Sequence, residues 1–179
     1  EETLALAAGA LERARALGSA ELEPVALARL SGGLAMRGGP GDIDRAIEVG
    51  NEALAKWVPG ARVPELAEHS HMQADNLYWT GDHEGSLALS ERASQLGGLE
   101  EGSAEFLLRG VGMKCVALSA VGRYEEALEA GSSAIAIAEQ MGRSANGARN
   151  YSTLPLRDIF LLEEAGGRTA EVLGLIGRS

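Results

Sequence analysis

Lysine and cysteine are almost missing from this sequence. Lys56 and Lys114 are the only lysines, and 16 basic residues in all face 26 acidic ones, a formal net charge of −10. A surface that acidic repels phosphate backbones, which argues against nucleic-acid binding. The surplus acid reads as a solvated, self-repelling exterior, with a basic partner as the alternative. A single cysteine, Cys115, permits no internal disulfide and no multi-cysteine metal site. It fits a reducing, cytoplasmic setting. No apolar run approaches the roughly 20 residues that a membrane helix requires, and no signal-peptide pattern is read at the start. The chain opens at Glu1 inside an amphipathic pattern, so the expectation is a segment of a longer polypeptide.

Aromatic residues are scarce too, at 4 %, although 45 % of the chain is hydrophobic. Alanine, leucine and glycine fill the apolar positions instead. Strands favour β-branched and aromatic side chains, whereas small residues let helix backbones approach closely. The expected fold class is all-α.

A repeat organises the chain. Glycine, a charged or polar stretch and then a small residue recur as Gly41-Asp42-Ile43-Asp44-Arg45-Ala46, Gly81-Asp82-His83-Glu84-Gly85-Ser86 and Gly122-Arg123-Tyr124-Glu125-Glu126-Ala127. A looser copy follows at Gly166-Gly167-Arg168-Thr169-Ala170, and the lead glycines are spaced by 40, 41 and 44 residues. Seven residues beyond each of the first three small residues stands another, at Ala53, Ala93 and Ala134. Glycine accepts the left-handed conformation and ends a helix. Acidic residues in the next first turn favour the positive end of the helix dipole. Small residues seven apart share one helix face and allow tight packing. Such a hairpin cannot cover its own apolar face and needs stacked neighbours.

Gly122-Arg123-Tyr124-Glu125-Glu126-Ala127-Leu128 followed by Ala134 resembles the turn and second helix of a tetratricopeptide (TPR) repeat. Cys115 and Ala74, each twelve residues before Ala127 and Ser86, fall where that repeat carries a small residue on its first helix. Pro59 resembles its closing proline. A standard repeat has about 34 residues, so a period of 40 or more adds roughly a turn to each helix, at about 3.6 residues per turn. That length is similar to the TPR-like arrays of bacterial multidomain ATPase regulators, the maltose-regulator and LuxR-type activators. HEAT and armadillo arrays share the period but lack this turn. The resemblance implies an α-α superhelix over about residues 22–176 and a protein-interaction role.

Nine helices are expected. A lone one over about 2–17 resembles the second half of a truncated repeat, and repeats then follow at about 22–60, 62–98, 102–142 and 144–177. Their helices are predicted from Pro24 to the glycines at 38–41, then near 42–57, 63–80, 83–96, 103–121, 123–141, 144–165 and 168–176, with Pro155 bending or restarting the eighth. Brief connections such as Gly97-Gly98 make neighbours antiparallel. No long linker interrupts residues 1–179, which read as one domain.

The chain carries no pattern that reads as an enzyme. His69 and His71, two apart on a helix, face differently and cannot share a metal; with His83 they read as ordinary surface histidines. Cys115 lacks an activating base and reads as buried packing. Gly38-Gly39-Pro40-Gly41 and Gly166-Gly167-Arg168-Thr169 lack the Lys-Ser/Thr ending of a phosphate loop. No metal and no cofactor is expected.

Binding is what remains. The resemblance implies that first helices line an inner, concave groove, which would place Glu68, His71, Met72, Asp75, Tyr78, Trp79, Arg109, Met113 and Val116 on it. Arg149, Asn150, Arg157 and Phe160 would follow on the last repeat. Of these, His71, Asp75, Tyr78, Trp79, Arg109, Met113, Arg149 and Arg157 form the candidate site, because exposed aromatics and arginines anchor interfaces. Packing between stacked repeats is the alternative for Tyr78 and Trp79. The two lysines match none of the groove positions, which argues against a clamp for a C-terminal carboxylate. The expected partner is a protein, a peptide or an adjoining domain of the same polypeptide, with neither nucleic acid nor membrane. Two roles fit: a sensor or scaffold within a bacterial signalling or transcriptional regulator, or a free-standing adaptor holding a peptide.

Overall fold

The computed structural model describes residues 2–99 and 104–141. Among them stand seven α-helices and no strand: α1 (Glu2–Ala16), α2 (Leu22–Arg37), α3 (Asp42–Lys56), α4 (Val63–Thr80), α5 (His83–Gly97), α6 (Ala104–Ala120) and α7 (Tyr124–Gln140). The eighth and ninth expected helices, over 144–165 and 168–176, lie outside the described residues. The other boundaries fall within about two residues of the sequence expectation.

The turn motif works as its chemistry requires, with one difference. Gly81 follows α4 directly and Gly122 follows α6 after Val121, with φ of 89° and 79°. Gly81 N–H donates to the Tyr78 carbonyl at 3.1 Å and closes α4. Gly41 also has positive φ, at 76°, but α2 has already stopped at left-handed Gly38, so Gly41 instead caps the start of α3. The extra Gly39-Pro40 separates these two jobs. Asp42, in the first turn of α3, accepts from Gly39 N–H at 2.7 Å and from Arg37 Nε at 2.7 Å. Pro24 sits in the first turn of α2, where its missing N–H has no intrahelical partner to lose.

Each helix packs on its chain neighbours, and α2, α4 and α6 also touch in succession. The first helices thus form one layer, backed by α1, α3, α5 and α7. The small-residue pairs lie in the seams. Ala46, Ala53, Ser86, Ala93 and Ala127 are wholly buried and Ala134 is 1 % exposed, so equivalent positions share one environment. Ala7 and Ala14 of α1 are also buried and seven apart, and Ala7 precedes Ala46 by 39 residues. They make α1 a second helix in the same register.

The closest approach is between α5 and α6. A Cβ added to Gly110 would stand 2.5 Å from Ser94 N and 2.8 Å from Ala93 C, and one on Gly97 would strike the Leu107 backbone. Backbone here lies on backbone, which only glycine permits.

The histidine expectation is corrected. His69 and His71 are buried, at 3 % and 5 % exposure, rather than on the surface. His69 Nε2 lies 3.1 Å from the Gly50 carbonyl, and its ring stacks on Trp57 at 6.1 Å between centroids. Beside it, Gln73 Nε2 donates to the Ile47 carbonyl at 2.8 Å and to Asn51 Oδ1 at 3.2 Å. A polar seam therefore joins α3 to α4.

Candidate binding surface

The first-helix layer is the surface to which the repeat resemblance assigns binding. On α4, the turns run Glu65, Glu68, Met72, Asp75 and Trp79, at spacings of three and four that keep them on neighbouring positions. All are at least partly exposed, and Trp79 is 75 % exposed. An indole that open is unusual, since most of a tryptophan's value lies in burying its large apolar body.

Trp79 is held rather than loose. Its indole N–H donates to the Asp75 carboxylate one turn earlier, and Tyr78 meets it edge-on at 5.5 Å between ring centroids. Tyr78 in turn packs on His83 at the start of α5, at 5.2 Å, so it closes the α4–α5 hairpin. Tyr78 thus packs within its own hairpin, while Trp79 is open to solvent. Burial pushes the Asp75 carboxyl above its ordinary range, opposed by the Trp79 hydrogen bond.

On α6, Arg109 is partly exposed and pairs with Glu105 one turn back, at 3.0 Å. Arg29 on α2 pairs with Glu68 on α4 at 3.0 Å, tying two first helices together. The layer therefore carries both charges, with a tryptophan near its α4 end.

Two candidate residues are displaced from this surface. Met113 is 1 % exposed and His71 is 5 % exposed, so neither can meet a partner without repacking. Met113 belongs to the buried face of α6, with Leu108, Cys115 and Leu118. Burial and the neighbouring Arg109 cation hold the His71 imidazole down to about 4, so it stays neutral near pH 7. Arg149 and Arg157 lie outside the described residues. Asp75, Tyr78, Trp79 and Arg109 remain.

Among the described residues, no three His, Cys, Asp or Glu side chains cluster as they would to hold a metal ion. Cys115 is fully buried and its thiol is pushed up to about 12 by that burial, in keeping with a packing role. No helix of the described residues is long and apolar enough to cross a membrane.

Sequence reasoning missed one feature, an open apolar groove between α1 and α2. It has a volume of about 540 Å³ and is lined by Leu6, Ala10, Leu17, Leu22 and Val25, with Arg13 and Arg29 among its walls. The signal was present: besides its buried stripe Ala7, Leu11, Ala14, α1 carries Leu6 and Ala10 on a second side, continued by Leu17 just past its end. A helix apolar on two sides expects two neighbours.

Antiparallel hairpins stacked through a recurring small-residue seam define a TPR-like repeat solenoid, and this chain has that fold. Its solved neighbours agree. A protein of Podosopora anserina, provisionally named a kinesin light chain and built of nearly identical TPR-like repeats, matches in a form carrying one methionine substitution, with a TM-score of 0.70 over 99 % of this chain and 83 % of its own, at 18 % identity. Another structure of the Podosopora anserina protein matches with a TM-score of 0.63 over 94 % and 81 %, also at 18 % identity. No family model and no curated protein matches the chain.

Proposed function

We propose that this chain is a protein-interaction scaffold whose first-helix layer takes a peptide or protein segment, and that it has no catalytic activity and needs no cofactor. The observation that carries this reading is Trp79, 75 % exposed yet oriented by Asp75 and Tyr78. A fixed aromatic surface loses little conformational freedom on binding, which is why such residues anchor interfaces. Arg109 on the next first helix supplies a cation within the same layer. The 40-residue period and its resemblance to the arrays of bacterial ATPase and LuxR-type regulators favour a sensor or scaffold within such a multidomain regulator. There the array would restrain or report to an attached domain. A free-standing adaptor gripping a peptide is the second reading.

Selection of displayed random peptides on the full chain, followed by titration of the enriched peptides, tests the surface. Trp79→Ala and Arg109→Ala are each expected to weaken binding at least about tenfold, which corresponds to about 1.4 kcal/mol. Enriched peptides that bind both variants as tightly as the parent would place the interface elsewhere. Fusing the array to a candidate ATPase partner domain and measuring hydrolysis with and without those peptides separates the regulator from the adaptor.

A further inference from the structure

The exposure of Trp79 has a cause in the helices on either side. Forty residues before it stands Gly39, past the end of α2 at Arg37, and forty-one residues after it stands Ala120, the last residue of α6. One turn lower, Asp75 has Ala35 and Val116 at the same offsets. At those positions neither neighbouring first helix offers a side chain larger than valine to lie over the indole.

The indole is also electronically suited to one kind of guest. An aromatic face is the negative side of the ring quadrupole, and N–H donation to the Asp75 carboxylate shifts further density into the ring. Tryptophan gives a cation the best of the aromatic faces. The carboxylate offers about four acceptor directions over its two oxygens, of which the indole uses one, and Asp75 is only partly buried. A cation set on the ring therefore has an acceptor beside it.

The surrounding charge agrees. Cations at this end of the layer are already engaged: Arg37 Nε donates to Asp42 at 2.7 Å, and Arg123 donates to both oxygens of Glu126, at 2.7 and 2.6 Å. Arg109 corresponds to Glu68 in the repeat register and is paired with Glu105 at 3.0 Å. That puts it eleven residues below Trp79 in the register, a rise of about 16 Å. Helix α4 has no lysine or arginine, and Asp82 and Glu84 are exposed where the chain turns into α5. An acidic guest meets no unengaged cation here among the described residues. A basic one is drawn by the chain's charge of −10.

Shape selects a segment of protein over a free small molecule. Small-molecule sites enclose most of their ligand, whereas Trp79 is 75 % exposed on an open layer. The small residues on both sides leave a strip for an extended backbone, with one side chain resting on the ring. Of the two long cationic side chains, arginine fits better. Its guanidinium is planar and weakly hydrated, stacks on aromatic rings and keeps its edge donors for the carboxylate.

We propose that the segment held on the first-helix layer presents an arginine at Trp79, its guanidinium stacked on the indole and donating to the Asp75 carboxylate. This rests on that layer being the binding surface and adds the residue its guest must carry.

The full chain has two indole N–H groups, which nitrogen-15 NMR reads separately and Trp79→Ala assigns. The Trp57 indole, bonded to the Ala61 carbonyl at 2.9 Å in a buried residue, is the internal reference. N-acetyl-arginine amide is expected to shift the Trp79 signal saturably and leave that of Trp57 in place. N-acetyl-citrulline amide, of similar shape but uncharged, should bind at least about tenfold more weakly, and N-acetyl-lysine amide at least about threefold. Asp75→Asn keeps an oxygen for the indole N–H but removes the charge. It should weaken the arginine probe at least about fivefold, with the parent's circular dichroism retained. Among displayed random peptides, those weakened by Trp79→Ala should carry an arginine, and citrulline in its place should cost them at least about tenfold. These peptides should bind at least about a hundredfold more tightly than the amide probe.

No shift at Trp79, or a citrulline or lysine probe as tight as the arginine one, overturns the proposal. So does an Asp75→Asn chain that holds the arginine probe unchanged. Peptides that depend on Trp79 yet carry no arginine overturn it while leaving the surface in place. An amide probe as tight as the peptides would make a free small molecule the guest and overturn it too. Peptides indifferent to Trp79→Ala would instead remove the surface itself.

Discussion

Replacing Gly110 by alanine adds one carbon atom where two helix backbones already touch. The new Cβ would stand 2.5 Å from Ser94 N and 2.8 Å from Ala93 C. Ordinary carbon contacts lie at about 3.5–4.0 Å, so α5 and α6 must separate by roughly 1 Å. No flexible side-chain end can yield instead. Overpacking of a tight core costs about 1–3 kcal/mol, and a gap of about 1 Å along the rest of the seam forfeits up to roughly half of each dispersion contact. Against this stands the better helix propensity of alanine, about 1 kcal/mol. The net expectation is a loss of about 1–3 kcal/mol. Gly9→Ala in α1 is the internal control, because its added carbon meets nothing closer than the Arg13 Nη2 atom at 3.5 Å. There the propensity term stands alone, and a gain of about 0.5–1 kcal/mol is expected. At about 2–4 °C per kcal/mol for a chain of this size, thermal melts followed by circular dichroism should separate the two variants by several degrees in opposite directions. A Gly110→Ala protein melting at or above the parent would show that α5 and α6 do not approach this closely, and would undo the account of the seam.

Ser86 fills the position of Ala46 and Ala127, and its hydroxyl is buried without a hydrogen-bond partner among the described residues. Ser86→Ala should therefore raise the urea midpoint, by about 1 kcal/mol in stability; an unchanged or lower midpoint would mean the hydroxyl is satisfied. His69 and His71 are both depressed by burial, His71 from 6.5 to about 4. The unfolded chain then takes up protons first, so stability is complete above about pH 6.5 and declines as pH falls toward 4, by on the order of 3 kcal/mol for His71. Urea titrations across that window should show the slope, and His71→Gln should flatten it; a slope unaltered in that variant would place the lost protons elsewhere. Cys115, buried and with its thiol pushed up to about 12, should react with a disulfide reagent at pH 8 orders of magnitude more slowly in the native chain than in urea. Prompt labelling of the folded protein would contradict that burial.

The architecture was legible because it rests on local chemistry that repeats. Gly81-Asp82 and Gly122-Arg123 mark turns, and small residues seven apart mark seams, whatever lies beyond them. Two signals compete at Gly38 and Gly41, each able to end or begin a helix, and here they divide the two tasks. The surface was less legible. The repeat resemblance placed Asp75, Trp79 and Arg109 on a first-helix face, and they are at least partly open. It placed His71 and Met113 there too, but their burial depends on how far each helix is rotated and how closely its neighbour approaches. Gly97 and Gly110 set that distance for α6, and their contact joins residues of different helices that no single periodicity links. The polar seam of Gln73, His69 and Asn51 escaped for the same reason: each residue alone looks like a surface polar group. The α1–α2 groove was written in the second apolar side of α1, yet an alanine-rich helix shows such a side faintly.

The lengthened period has a geometric result for anything laid across these helices. They run to 15–18 residues, about 22–27 Å at about 1.5 Å per residue. Six residues more per repeat than the common unit of about 34 make each wall roughly 4–5 Å taller. An extended strand gains about 3.3 Å per residue, so a guest crossing from one rim to the other needs one or two residues more than it would in a standard array. Short peptides trimmed to fit ordinary repeats would span only part of this width, and ligand length itself becomes a means of discrimination.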